Sequence, residues 1–404
     1  MSKTAVAIIG AGYGDEGKGL LTDAYAALNQ NDSIVIRYNG GSNAGHTVTT
    51  MDGKKHVFSH IGAGTFNGVP TYLSRFFICN PLIFKKEYEV LLNTHKIKPL
   101  ILIDPDSLVT TPFDIIVNQI LERRRIDKHG SVGIGIDETI RRSKSACGLT
   151  FNDLHESESY LENRLRDIRD NFVPSRFLGD PISKAQDGDL YDTLHNKQLI
   201  SDFISICKYM INVTETVGVD TIGIHFDDLI FEGAQGLLLS EKYYDPIDNP
   251  YVTHSYTGVK NILKILDDIN GVNDFLINYV HRAYNTRHGS GPLLNEGSVS
   301  FNIKDETNTF NEFQGLLRLA PLDVDNLLDT IADDMINVPH QHQLTITCMD
   351  QIDNIVSFIS DDQDMLLPEK EFVDFISNIA DTLSYGQTRE TIKTTDSNDL
   401  HVPF

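Results

Sequence analysis

Ala5-Val-Ala-Ile-Ile-Gly10-Ala-Gly12-Tyr-Gly14-Asp15-Glu16-Gly17-Lys18-Gly19 is the stretch on which the fold turns. Its apolar start predicts a strand, its glycines a tight turn, and Leu20 to Leu28 a helix. Strand, glycine turn and helix in that order form a phosphate site, because glycines let the backbone approach and amides at the helix start face the anion. Lys18 adds a point charge. Gly12, Gly14 and Gly17 also match the dinucleotide fingerprint G-x-G-x-x-G, which makes an NAD(P)-dependent oxidoreductase the first rival. Two carboxylates inside the loop, a lysine after the last glycine, and Arg37-Tyr-Asn39 in place of an acidic strand end all count against that rival. A Walker A loop fits poorly too, since the spacing is wrong and Gly19 stands where Ser or Thr should follow the lysine. A carboxylate beside a phosphate loop repels the ligand unless it holds Mg²⁺ or acts as a base.

Further apolar runs occur at Ser33 to Arg37, Leu100 to Ile103, Leu229 to Glu232, Phe275 to Tyr279 and Leu344 to Thr347. Being nearly all apolar instead of alternating, they predict central strands covered on both faces. The expected fold is α/β: a large, mostly parallel sheet with helices on both faces and a P-loop-like glycine loop after the first strand. It is read as one domain over 1–404 with helical insertions at about 150–220. Leu199, Phe203, Ile206 and Met210 predict the core face of a helix. Glu156 to Asn171, dense in both charge signs, predicts a helix with a solvated face, and Asp361, Asp362 and Asp364 predict a solvated loop.

The chain has 404 residues and a formal charge of −23, from 34 Lys and Arg against 57 Asp and Glu. That balance excludes a broad nucleic-acid or anionic-membrane surface, which needs clustered cations in excess. Cys79, Cys147, Cys207 and Cys348 form no C-x-x-C pair, so neither a disulfide framework nor a thiolate zinc site is expected. The apolar run before Gly10 is too short for a signal peptide, and no stretch approaches the ~18 apolar residues of a membrane span. A cytoplasmic protein is expected.

After the second strand comes Asn39-Gly-Gly-Ser-Asn43-Ala-Gly45-His46-Thr47, where small residues leave the backbone open to a ligand and His46 supplies a titratable group. The loop around Asp15 together with this one resembles the adenylosuccinate synthetase family. Phe231-Glu-Gly-Ala-Gln235-Gly236 is similar to that family's F-E-G-A-Q-G, Pro250-Tyr-Val-Thr253 to its P-Y-V-T, and Tyr284-Asn-Thr-Arg287-His-Gly-Ser-Gly291-Pro292 to its Y-x-T-R-x-G-x-G-P. These blocks occur in the family's order across most of the chain. Within the resemblance the closest branch is the viral one that makes 2-aminoadenylosuccinate.

The resemblance implies a ligase that phosphorylates C6 of a purine nucleotide and displaces the phosphate with L-aspartate. It implies Asp15 as base and Mg²⁺ ligand, the Gly45 carbonyl as second metal ligand, and His46 on the transferring phosphoryl group. Donor contacts are expected from Asp15, Glu16, Gly17, Lys18, Gly19, Gly45, His46, Thr47, Asp350, Ser384 and Gly386. The acceptor is expected to meet Asn43, Gly130, Ser131, Gln235, Thr253, Leu316 and either Arg141 or Arg142. In the family that arginine crosses from a neighbouring subunit, so a homodimer is implied. Gly315 and Arg318 are expected on aspartate.

Two departures bear on the substrates. Leu316 falls where the family has an arginine on the acceptor's 2′-hydroxyl, which favours a deoxynucleotide and hence dGMP over IMP. IMP with GTP, as in AMP biosynthesis, is the alternative. The family's T-K-L-D appears as Thr347-Cys348-Met349-Asp350, and loss of its lysine leaves ATP, dATP and GTP open as donors.

Overall fold

The computed structural model describes residues 3–126, 128–297 and 315–395. Its central sheet has ten strands. In chain order these are β1 (Lys3–Gly10), β2 (Ser33–Arg37), β3 (Thr71–Leu73), β4 (Ile101–Ile103), β5 (Glu215–Thr216), β6 (Asp228–Gly236), β7 (Val272–Arg282), β8 (Gln341–Thr347), β9 (Thr382–Ser384) and β10 (Ile392–Thr394). Side by side they run β10-β9-β8-β7-β1-β6-β2-β3-β4-β5. Every pairing is parallel except that of β9 with β10.

Alternate residues of the central strands feed two separate cores. Ala5, Ala7 and Ile9 join Ile36, Phe231 and Ile277 on one face, with the helices Lys260–Asp268, Val324–Asp334 and Glu369–Ile376 packed there. Val6 and Ile8 join Val35 and Ile230 on the other, under helix α1 (Lys18–Leu28). Burial on both faces is why these strands read as unbroken apolar runs. The α/β expectation therefore holds, and among the described residues no helix is long and apolar enough to cross a membrane.

Between β4 and β5 the chain builds a helical layer that includes Glu158–Asp167, Lys184–Leu194 and Leu199–Val213. The charged helix Glu158–Asp167 is half as expected: its charges are exposed or half-exposed, but Leu161 and Leu165 are driven into the core. The face expected for Leu199–Val213 needs correction. Ile200, Phe203, Ile204, Cys207 and Met210 are buried, whereas Leu199 and Ile206 are only half-buried. Ser201, Asp202 and Ser205 mark the exposed side, and the buried face is centred on Ile200, Phe203, Ile204 and Cys207, turned away from Leu199 and Ile206 toward the neighbours Pro81–Val90 and Glu158–Asp167. Asp361 and Asp362 form the exposed turn of the hairpin Ile355–Ser360 with Gln363–Pro368, as a solvated acidic loop should.

The corrected face is testable by urea unfolding. Ile204→Ala should cost about 2–5 kcal/mol, and Ile206→Ala no more than about 1 kcal/mol.

Candidate active site

The loop after β1 is shaped by the side chain of Glu16, whose backbone amide is the part expected to meet the donor. Glu16 is buried, and its Oε1 accepts hydrogen bonds from the amides of Gly12 (3.1 Å) and Gly14 (2.6 Å). Its Oε2 takes the buried Lys18 ammonium at 2.6 Å. The Glu16 side chain is thus a brace, and in this conformation Lys18 is paired internally and offers no open charge to the cleft. Gly10 is required by this packing, since a Cβ there would lie 2.8 Å from both Lys18 Nζ and Glu16 Cδ. Gly17, at φ 97°, turns the chain into α1. Gly19 lies against the backbone of His46 and Thr47, so the two ligand loops meet at the start of α1.

Asp15 sits at the crest with φ 64°, a left-handed conformation that Asp tolerates better than most residues. Burial alone would raise its carboxyl, but a hydrogen bond from His288 and the charges of Arg282 and Lys18 hold it below the usual carboxylate range. It is an anion at the crest of the glycine loop. Gln235, at the end of β6, is also left-handed (φ 63°), and its Oε1 is buried without a partner. Backbone strain and orphaned polar atoms at neighbouring strand ends mark a ligand site.

His46 is buried and places Nδ1 2.5 Å from Glu232 Oε1. Glu232 is fully buried, accepts the Ala63 amide at 3.1 Å, and has Arg37 Nε at 3.9 Å. Burial pushes the His46 pKa down despite Glu232. Burial would raise Glu232, yet His46 and Arg37 hold it low. A carboxylate can only accept, so His46 Nδ1 carries the hydrogen toward it, and Nε2, which has no partner, is left for a ligand. Glu232 and Arg37 were missed at the sequence level. The available signal was a charged pair inside strands otherwise buried on both faces.

A cleft beside these loops collects most of the residues expected on the acceptor. Asn43, Gly130, Ser131, Arg141, Gln235 and Thr253 all line it. So does His288, whose Nε2 lies 2.8 Å from Asp15 Oδ2. Two expectations fail. Arg142 is fully buried and bonds Asp114 (2.8 and 3.0 Å) and the carbonyls of Val109 and Cys147. It cannot meet an acceptor, because β-strand ends and its own helix, Ile136–Ser143, enclose it; the half-exposed Arg141 is the arginine at the cleft. Leu316 is 64% exposed and does not line the cleft.

Arg318 is not idle. Its Nη1 donates to the carbonyls of Gly289 (2.9 Å) and Gly291 (2.8 Å), and its Nε and Nη2 hold the Glu296 carboxylate. Asn311 to Gln314 of the expected aspartate loop lie outside the described residues. On the donor side, Thr347 Oγ1 donates to Glu16 O at 2.7 Å, bringing the end of β8 onto the glycine loop and leaving Asp350 exposed just beyond. The Ser384 hydroxyl is spent on Gly386 O (3.2 Å).

The residues fit Mg²⁺. Among the described residues no group of three or more His, Cys, Asp or Glu forms a metal cage. Mg²⁺ is usually held by one or two carboxylates together with phosphates and waters. Asp15, ionised at the crest of the loop, and the exposed Gly45 beside His46 suit that shared mode.

Residues 7–357 match the adenylosuccinate synthetase family. The adenylosuccinate synthetase of Xylella fastidiosa (strain 9a5c) is 32% identical over 306 residues, 72% of this chain but only 65% of its own length. That of Borrelia duttonii (strain Ly) is 28% identical over 357 residues, 87% of this chain and 78% of its own. The fully ligated adenylosuccinate synthetase from Plasmodium falciparum superposes with a TM-score of 0.71 at 18% identity, over 96% of this chain and 99% of that one. Succinoaminodeoxyadenylate synthetase of cyanophage S-2L, bound to dGMP and to dATP as an energy donor, gives 0.63 at 15% identity, over 98% and 97%. At such identities the two structures speak for the fold.

The two arginines should separate cleanly in thermal or urea unfolding. Arg142→Ala, which strands the buried Asp114 charge, should cost about 3–5 kcal/mol, and Arg141→Ala less than about 0.5 kcal/mol.

Proposed function

The chain belongs to the adenylosuccinate synthetase family, and from that premise we propose that it joins L-aspartate to C6 of a purine nucleoside monophosphate at the cost of a nucleoside triphosphate. One observation carries the reading: an ionised Asp15 stands at one side of a cleft that also gathers Asn43, Gln235, Ser131, Thr253 and Arg141. That spread offers a base for the purine edge and hydrogen-bonding groups for a 5′-phosphate; Arg141 lines this cleft from within the same chain, whereas the resemblance implies an arginine from a neighbouring subunit.

The chemistry follows from these groups. Asp15 takes the N1 proton, so that electron density moves to O6, which attacks the γ-phosphorus as the bond to the β-phosphate oxygen breaks. His46, oriented through Nδ1 by Glu232, turns Nε2 toward the transferring phosphoryl group, whose negative charge favours the imidazolium that can donate to it. Amides of Glu16 to Gly19 face the donor phosphates at the start of α1. Mg²⁺, when bound by Asp15 and the Gly45 carbonyl, supplies charge neutralisation on the phosphates. The aspartate amine then attacks C6, the C6–O6 bond breaks, and inorganic phosphate leaves. Arg318 holds an aspartate carboxylate once Glu296 has given way. A homodimer in the cytoplasm belongs to the same proposal.

For the acceptor we favour dGMP. Leu316 removes a guanidinium where the family places one on the 2′-hydroxyl, and a deoxyribose loses nothing by that change. The S-2L enzyme, alike in fold, was solved with dGMP and dATP, which supports the reading. The runner-up, IMP with GTP, is supported by the bacterial enzymes that align with the chain.

Phosphate release measured across dGMP, GMP, IMP and dIMP, each with ATP, dATP and GTP, tests both. It should require aspartate and Mg²⁺, be fastest with dGMP, and fall by at least about 100-fold in Asp15→Asn. Preference for IMP would overturn the acceptor assignment, and turnover without aspartate would overturn the ligase. Leu316→Arg should raise kcat/KM for GMP relative to dGMP by about 10-fold, read in the same assay.

A further inference from the structure

The family block Y-x-T-R-x-G-x-G-P leaves the position of His288 open, so the resemblance gives this residue no role. Its place in the fold does. The segment from Arg282 to His288 lies along the glycine loop and grips it at successive points. Arg282 Nε donates to the Asp15 carbonyl, Thr286 Oγ1 donates to Gly14 O at 3.2 Å, and the Arg287 guanidinium stacks 4.4 Å over the Tyr13 ring. Each of these holds backbone or a neighbour. The remaining contact, His288 Nε2 to Asp15 Oδ2 at 2.8 Å, reaches the carboxylate itself.

We propose that His288 is a positioning residue that aims the Asp15 carboxylate at the acceptor base. The proposal rests on Asp15 being the base. Nε2 stands 2.8 Å from Oδ2, a close contact that fixes the place of that oxygen and leaves Oδ1 for the purine edge. The backbone that carries the imidazole is closely packed. The next residues turn through left-handed Gly289 and Gly291, and they lie so close to Gly130 that a Cβ there would stand 2.5 Å from Ser290 N. His288 also lines the acceptor cleft, so the tether works from inside the site. A reacting group misplaced by about 1 Å loses about 100-fold in rate.

The test compares His288→Leu, which keeps bulk without a donor, with His288→Gln, whose amide nitrogen can reach the place of Nε2; His288→Ala is made alongside in case the Leu protein does not fold. Expected are a fall in kcat of about 100-fold for Leu and Ala, acceptor Kd by equilibrium titration within about threefold of wild type, and recovery in Gln to within about 10-fold. Wild-type kcat in Leu or Ala, or equal losses in Gln and Leu, would overturn the proposal. Asp15→Asn run beside them separates the two readings: an active Asp15→Asn defeats the base assignment, whereas an inactive one with an active His288→Leu defeats only the role of His288.

Discussion

The Glu16 carboxylate, removed from water, has to be satisfied from within, and the way it is satisfied sets the geometry of everything around it. Two loop amides and the Lys18 ammonium close on it. A buried carboxylate stripped of such partners is costly, so the loop cannot relax away from this arrangement without a penalty of several kcal/mol. Locked in this way, the loop presents Asp15 on a left-handed crest, starts α1 at Gly17, and offers a fixed surface to β7 and β8. Glu232 repeats the arrangement one strand away, binding His46, Arg37 and the Ala63 amide. The site thus stands on two internal carboxylates, neither of which need touch substrate.

This changes the meaning of the net charge of −23. Counting cations near the cleft overstates its attraction for anions, because Lys18 is matched by Glu16, Arg142 by Asp114 and Arg318 by Glu296. What remains for phosphates is chiefly oriented backbone amides, the helix start and the half-exposed Arg141, together with whatever divalent ion the nucleotide brings. Such binding is local and directional, which suits mononucleotides and not a polyanion.

Much of the fold was legible because the central strands are buried twice over: Ala5 to Ile9 and Ser33 to Arg37 can be little else. Short outlying strands such as Thr71–Leu73 and Thr382–Ser384 carry too few residues to show a period, and they were not foreseen. The site was read where loops carry glycines and polar groups, and the structure brings Asn43 and Gln235 into one cleft with Asp15 2.8 Å from the His288 that also lines it, whereas His46 does not line it. It was not legible where the answer depends on which way a side chain turns. Adjacent Arg141 and Arg142 are equivalent in one dimension, and only the helix Ile136–Ser143 puts one against Asp114 and the other at the cleft. Leu316 was read by alignment to a contact, yet its own side chain faces solvent; what counts there is the absent guanidinium.

The order of strands in the sheet has a consequence for how the molecule comes into being. Although β1 and β2 are made before the other strands of this sheet, they never touch; β6 lies between them and β7 flanks β1 on its other side. The bonds that finish the site span 186 residues from His46 to Glu232, 267 from Asp15 to Arg282 and 331 from Glu16 to Thr347. On the ribosome, the first strand and its glycine loop must wait for most of the chain before either neighbour exists. Closing such long loops precedes any reward from them, which makes folding slow and leaves apolar β1 and β2 exposed in the meantime. A nascent chain of this design is a natural client for chaperones, and no N-terminal fragment that stops short of β6 can hold the site.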